Sequence, residues 1–347
     1  MKQRIFTFDA LKCFAIYLVI YGHCIQHLRD NGDVKDDLVF QLIYSFHMPL
    51  FMMVSGYFSY SSYNIPFVPF LAKKSKQLIL PWLTGVAIMA LLMVLNTTSV
   101  NDMGGGKIKH LFWNFWFLRS LFLCYIYSYI SAKLFQIDSF RFCVLGLFLS
   151  ALLGVGSTSY LYFFFLLGLR ARDRLSRKQD NQVKFSILFL LVWFSLFVLL
   201  YMLGYKKPLS LNLLNIYLGK YSSNSSEFLI LPVWLVMASC GCLGIYKIMQ
   251  SAEGLENLKN RRLAKLKGIV SKIGQKTLQI YILQVFLLET LIAKYLSFDT
   301  VNTIFFDCVV APIMSFFILF ICYWSCIILE KNVFISKYLF GKAIQNV

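Results

Sequence analysis

Apolar residues in this chain gather into long runs, and polar residues fall into the short connections between them. Runs able to cross about 30 Å of hydrocarbon as helices, at roughly 17 to 25 residues each, lie at 6–28, 38–60, 78–96, 113–131, 142–157, 158–169, 185–204, 226–246, 273–296 and 302–329. The pattern predicts an all-α polytopic membrane helix bundle of about ten transmembrane helices, forming a single domain over 1–347. The fifth and sixth runs are short and meet around GVGSTS, Gly154 to Ser159, which predicts a tilted, broken or re-entrant pair. The first run starts with basic residues like a signal peptide, but it is too long and no small-residue cleavage site follows. It is expected to stay as the first span.

Charge sets the orientation. The chain carries 34 Lys and Arg against 16 Asp and Glu, a formal net charge of +18. In a soluble chain this would point to nucleic acid. With the N-terminus cytoplasmic, however, 23 of the 34 fall in cytoplasmic segments, seven in the opposite loops and four (Lys12, Arg119, Lys276 and Lys294) within spans. The positive-inside rule then places both termini in the cytoplasm. No nucleic-acid partner is expected, and membrane lipid is. A 59% hydrophobic composition with a mean hydropathy of +0.66 also excludes an ordinary soluble domain. The nine cysteines lie almost entirely in apolar runs without zinc-site or disulfide spacing, so they read as small core residues, and no metal is expected. The basic stretch 252–272 could form an amphipathic surface helix; a connection touching anionic lipid is the simpler reading.

Ionisable groups inside spans cost about 2.5 to 3.5 kcal/mol on insertion scales and tend to face a bundle interior or a water-filled cavity. Lys12 and His23 are eleven residues apart, which puts them within about 20° of one helix face, with Asp9 about 40° from His23. The rise separates Lys12 from His23 by roughly 16 Å. One face therefore carries two stations. The inner one collects Asp9, Lys12, Lys73, Lys74, Lys76 and Lys276. The outer one holds His23, with His47 on the second span at a similar depth beside Pro49, which should break that helix; Arg119, Glu289 and Asp307 lie in the outer third of their spans. Structural readings stand beside these. Lys12 can pair with Asp9 at the inner interface, Arg119 with Glu289. Asp307 lies close enough to a loop to be solvated, His27 sits at the outer interface without a role, and His23 can be a hydrogen-bonded core histidine.

Five motifs occurring in order carry a resemblance: Asp9-x-x-Lys12-x10-His23, FHMPLFMMVSGY (46–57), KKSKQLILPW (73–82), FWFLRSLF (115–122) and IGQKTLQIYILQ (273–284). Together they resemble the acyltransferase-3 family of bacterial integral membrane acyltransferases of the glycan O-acetyltransferase type. The resemblance implies a multi-pass protein of the bacterial inner membrane that takes an acyl group, commonly acetyl, from cytoplasmic acyl-CoA. Acetyl-CoA is then a co-substrate, and the acceptor is a hydroxyl of a surface or lipid-linked glycan. It also implies that His23 is essential and that Lys12 helps handle the donor. Two positions depart from the family pattern. Its R-x-x-R before the third-span proline reads here as Lys74 and Gln77, or as Lys73 and Lys76, and its ninth-span histidine is replaced by Gln284.

On this reading Lys12, Lys73, Lys74 and Lys76 meet the CoA phosphates, and the pantetheine arm threads up the bundle to His23. The neutral imidazole acts as general base on the acceptor hydroxyl. His47 binds the acceptor or donates to the oxyanion, and Asp9, Arg119, Ser55, Gln284 and Glu289 support the site, Ser55 also being an alternative acyl carrier. A secondary transporter or flippase for a glycan or small anionic solute would also bury charges and break helices, and a non-catalytic scaffold or sensor is a third class.

Overall fold

The computed structural model describes residues 5–29, 34–96, 112, 114–155, 157–172, 182–204, 226–253 and 261–342. Helices fill all ten expected stretches, and no strand occurs among the described residues. They are α1 (Phe6–His27), α2 (Leu38–Tyr44), α3 (His47–Ser59), α4 (Phe67–Lys74), α5 (Leu80–Asn96), α6 (Trp116–Leu134), α7 (Phe140–Leu153), α8 (Thr158–Arg170), α9 (Gln182–Met202), α10 (Ser226–Glu253), α11 (Arg261–Gln275), α12 (Thr277–Val285) and α13 (Ala311–Leu329). Seven helical stretches among the described residues are long and apolar enough to cross a membrane. The remaining three of the ten are α6, α7 and α8. Helices α7 and α8 are 14 and 13 residues long. The chain folds as an all-α polytopic bundle.

Helix α1 forms the axis. It packs on α3, α10, α11, α12 and α13, and Leu11, Ile16, Ile20 and Cys24 on it are fully buried. Around the rim, α9 shows Leu188, Leu191 and Phe194, and α13 shows Phe316, Phe320 and Trp324. Apolar side chains spread over an outer surface are what a bilayer-facing bundle requires.

Two prolines shape the site. A proline ring collides with the carbonyl four residues earlier, and for Pro49 that carbonyl belongs to Ser45. The second span accordingly breaks at Ser45–Phe46, and α3 restarts at His47. The break that Pro49 predicts is therefore present, and it puts His47 at a helix start. Pro81 acts in the same way on the third span. Its fourth predecessor is Gln77, and the chain widens there into a π turn over Ser75–Ile79 between α4 and α5. Apolarity alone starts this span at 78, but the helix begins at Phe67, so the KKSKQ run lies inside it.

Close crossings rely on glycine. Gly56 on α3 meets the Phe165 carbonyl on α8, and Gly168 on α8 meets the Met53 carbonyl on α3; a Cβ at either would overlap those atoms. This reciprocal pair lets two backbones approach at a distance that other residues forbid. The basic stretch is helical over Arg261–Gln275 and docks on α1: Gly274 abuts the Asp9 backbone, and Ser271 Oγ donates to Asp9 Oδ2 at 2.7 Å. The contact with α1 makes it part of the bundle.

Candidate active site

At one end of the bundle the start of α1, the end of α11, the π turn before α5 and the segment after α13 come together. Asp9 accepts from Lys12 (3.2 Å), Ser271 (2.7 Å) and Gln275 (3.4 Å). The expected Asp9–Lys12 pair thus forms, and it also ties down α11. Lys74 is buried with its Nζ 3.5 Å from the Tyr125 ring centroid, an arrangement that stabilises the ammonium by cation–π attraction. Lys73 and Lys76 are exposed. Glu330 binds Lys276 and, at 2.8 Å, Lys342. Burial pushes its carboxyl up, the two lysine hydrogen bonds outweigh that, and the group sits below its ordinary range.

A cavity of about 780 Å³ opens here, its wall including Lys74, Gln77, Tyr125, Glu330, Lys337 and Lys342. Between the two registers open for the R-x-x-R position, the wall contains Lys74 and Gln77. A second cavity of about 180 Å³ lies deeper, lined among others by Lys12, Val19, Met48, Ser55, Thr277 and Tyr281. Leu78, Leu121 and Leu278 line both. These three leucines stand between a large basic vestibule and a smaller, mostly apolar chamber. The chamber reaches Val19, one helical turn or about 6 Å of rise short of His23.

At the opposite end His23 Nδ1 lies 3.2 Å from Gln284 Oε1. With the carbonyl of Gln284 toward the ring, Nδ1 carries the proton and Nε2 is the basic nitrogen. Gln284 is fully buried, and its Nε2 has no hydrogen-bond partner among the described residues. His47 is buried with Nδ1 2.8 Å from the Ile43 carbonyl. Its proton is therefore on Nδ1, and its Nε2, when neutral, is an acceptor. Tyr44 joins the two histidine-bearing elements. A Cβ at Gly22 would sit 2.7 Å from its ring, and that ring is 4.5 Å from the ring of His47.

The sequence leaves His27 at the interface without a role; the structure brings it into contact with His23 and Glu289. His27 stacks edge-on with His23 at 5.7 Å and lies 3.7 Å from Glu289, which accepts from Asn114 at 2.9 Å. The four-residue spacing of His23 and His27 on one helix was the signal for this pair. Glu289 thus has His27 and Asn114 as partners. Arg119 is half-buried on α6. Asp307, expected to be solvated, is 4% exposed and pairs with Arg29, itself 3.8 Å from Asp37; these charges clamp the histidine end of α1 between α2 and α13. His23, His27 and Glu289 have ligand atoms within 4.8 Å of one another, a donor set able to hold a divalent cation.

A family model described as an acyltransferase domain, that of the acyltransferase-3 family, matches residues 5–331; the chain belongs to this family and is a membrane acyltransferase. Among curated relatives it is 24% identical over 297 residues to the nodulation protein NolL of Sinorhizobium fredii, covering 82% of this chain and 78% of that one. It is 31% identical over 131 residues to the NolL of Mesorhizobium japonicum, covering 36% of this chain and 35% of the relative. No solved structure matches.

Proposed function

We propose that this protein transfers an acyl group, specifically acetyl, from cytoplasmic acyl-CoA to a hydroxyl of a surface or lipid-linked glycan in the bacterial inner membrane. Both termini and the basic vestibule then face the cytoplasm, in keeping with the positive-inside count. The observation that carries the reading is the pair of adjoining cavities that share Leu78, Leu121 and Leu278, with linings that extend from Lys74 to Val19, one turn below His23. The vestibule is wide and cationic, as a nucleotide with phosphates requires. The chamber is narrow and apolar, as an extended pantetheine arm requires.

The chemistry follows from two proton positions. His23, holding its proton on Nδ1 against Gln284, presents Nε2 to the acceptor hydroxyl and takes its proton as the oxygen attacks the thioester carbon. The negative charge then grows on the thioester oxygen, and the Gln284 amide nitrogen, without a hydrogen-bond partner among the described residues, donates to it. On collapse the C–S bond breaks and His23 returns its proton to the departing CoA thiolate. His47, as an acceptor at Nε2, orients the acceptor hydroxyl; this narrows its role, because a neutral ring so arranged cannot donate from Nε2 to an oxyanion. Glu289 holds His27 beside the reacting imidazole, and Asp9 orients Lys12 at the chamber's lower wall. Ser55 lines the chamber with Lys12, and its hydroxyl is the alternative acyl carrier.

Direct measurement is transfer of labelled acetyl from acetyl-CoA to glycan in membranes containing the protein; absence of CoA-dependent label refutes the reading. Gln284→Leu is expected to lower kcat by about 10²-fold, the usual cost of one oxyanion donor, with little change in the KM for acetyl-CoA. A comparable rise in KM with kcat intact would place Gln284 in donor binding instead. Chelation of divalent cations is expected to leave transfer unchanged, since Nε2 of His23, the nitrogen left open by Gln284, must stay free to act as the base. Loss of activity restored by zinc would convert the triad into a metal site.

A further inference from the structure

More than half of the vestibule wall is built after α13. Of the thirteen lining residues, Glu330, Val333, Ser336, Lys337, Phe340, Gly341 and Lys342 come from this segment, and all but Glu330 lie past residue 331, where the family match ends. The segment is a built element. Ile335–Leu339 coils as a π turn, the Phe340 N–H donates to the Ile335 carbonyl at 3.1 Å, and the Lys342 N–H donates to the Ser336 carbonyl at 3.0 Å. Between them Gly341 takes a φ of +62°, the left-handed conformation that glycine adopts without strain. A Cβ there would sit 2.5 Å from the Lys76 carbonyl and 2.9 Å from Pro81. Leu339 and Phe340 are buried. The hook is thus fastened to the very turn that aims Lys74 and Gln77 inward.

Its charges complete the wall. Lys337 and Lys342 stand in the same lining as Lys74, against one carboxylate, Glu330. Glu330 is shared between Lys342 and Lys276, and Lys276 lies outside the lining. An entering anion can therefore draw Lys342 away while Lys276 keeps Glu330 paired. The site thus gains a cation for the ligand without stranding a buried carboxylate, which would otherwise be costly.

Resting on the reading that the donor is an acyl-CoA, we propose that residues 333–342 form the phosphate-binding wall of the donor site, with Lys337 and Lys342 joining Lys74 on the nucleotide phosphates. Lysine suits this task as a mobile point charge, and the Ser336 hydroxyl adds a neutral donor. Of the lysines named from the sequence for the donor phosphates, Lys74 is in the wall, whereas Lys73 and Lys76 are exposed and absent from it. The same chemistry would also suit the phosphate of an anionic lipid headgroup, so lipid composition enters the test.

The full chain in nanodiscs of zwitterionic lipid is titrated with CoA and, separately, with acetyl-pantetheine, which lacks phosphates. The double variant Lys337→Ala/Lys342→Ala is expected to raise the Kd for CoA about tenfold or more, to flatten its salt dependence, and to leave acetyl-pantetheine unaffected. Lys337→Arg/Lys342→Arg, with an unchanged thermal midpoint, is expected to retain CoA binding. Unchanged CoA affinity in the alanine variant, with the parent protein binding normally, overturns the hook assignment and leaves the donor reading standing. A parent protein that binds no CoA overturns both. If CoA affinity is unchanged and the variant instead loses enrichment of phosphatidylglycerol from mixed lipid, the hook is a lipid site and the proposal fails.

Discussion

His23→Ala is expected to reduce acyl transfer by about 10³- to 10⁴-fold, the upper range for a general base, while the protein accumulates at its normal level. The cavity left by the imidazole is small and lies beside polar partners, so the bundle should keep its thermal midpoint. His23→Gln gives a sharper comparison, since its amide can restore a contact to Gln284 but has no basic nitrogen, and it should be equally inactive. The measurement is single-turnover transfer from acetyl-CoA alongside CoA affinity. Intact affinity with lost turnover assigns the residue to the chemical step. Activity above a tenth of the parent's would exclude His23 as the base and shift attention to His27, whose ring lies 5.7 Å away.

Gly56→Val is expected to prevent stable folding. At this position the Phe165 carbonyl occupies the space a Cβ would need, and the contact is backbone rather than a side chain able to turn aside. Helices α3 and α8 must then separate along their whole crossing, which is held by the reciprocal Gly168–Met53 contact. Overpacking a core usually costs about 1 to 3 kcal/mol, and forcing apart two backbones exceeds that range. The readout is yield of monodisperse protein after detergent extraction, with Gly268→Ala as a comparison, because nothing lies within 4 Å of a Cβ there. Parent-like yield for Gly56→Val would show that α3 and α8 need not touch.

What the residues disclosed beforehand depended on period and on chemistry that acts locally. The ten apolar stretches are readable as helices because an apolar run in hydrocarbon must satisfy its backbone internally, and seven of the helical stretches are long and apolar enough to cross a membrane. The shared face of Lys12 and His23 follows from 100° per residue, and the break before His47 follows from one proline ring. The vestibule was less legible. Which lysine of KKSKQ turns inward depends on the π turn at Ser75–Ile79, which shifts the helical phase by a fraction of a turn. The hook escaped notice for a different reason. Residues 330–342 have no apolar period, and their place in the wall arises from a left-handed Gly341 packed on Pro81. The replacement of the family's ninth-span histidine by Gln284 was visible in the sequence, but its contact with His23 spans 261 positions. No local rule reports such a distance.

The collar of Leu78, Leu121 and Leu278 bears on the energetics of the host cell. A water-filled bowl sunk into one face of an energised bilayer, with titratable imidazoles beyond it, would invite proton leakage and drain the gradient that drives ATP synthesis. Three branched aliphatic side chains shared by the two linings put apolar surface between the bowl and the chamber, and an apolar boundary of this kind resists ions far more than it resists a slender, neutral thread. Swapping one of these leucines for serine should therefore harm growth through dissipated membrane potential even where acyl transfer proceeds at its normal rate.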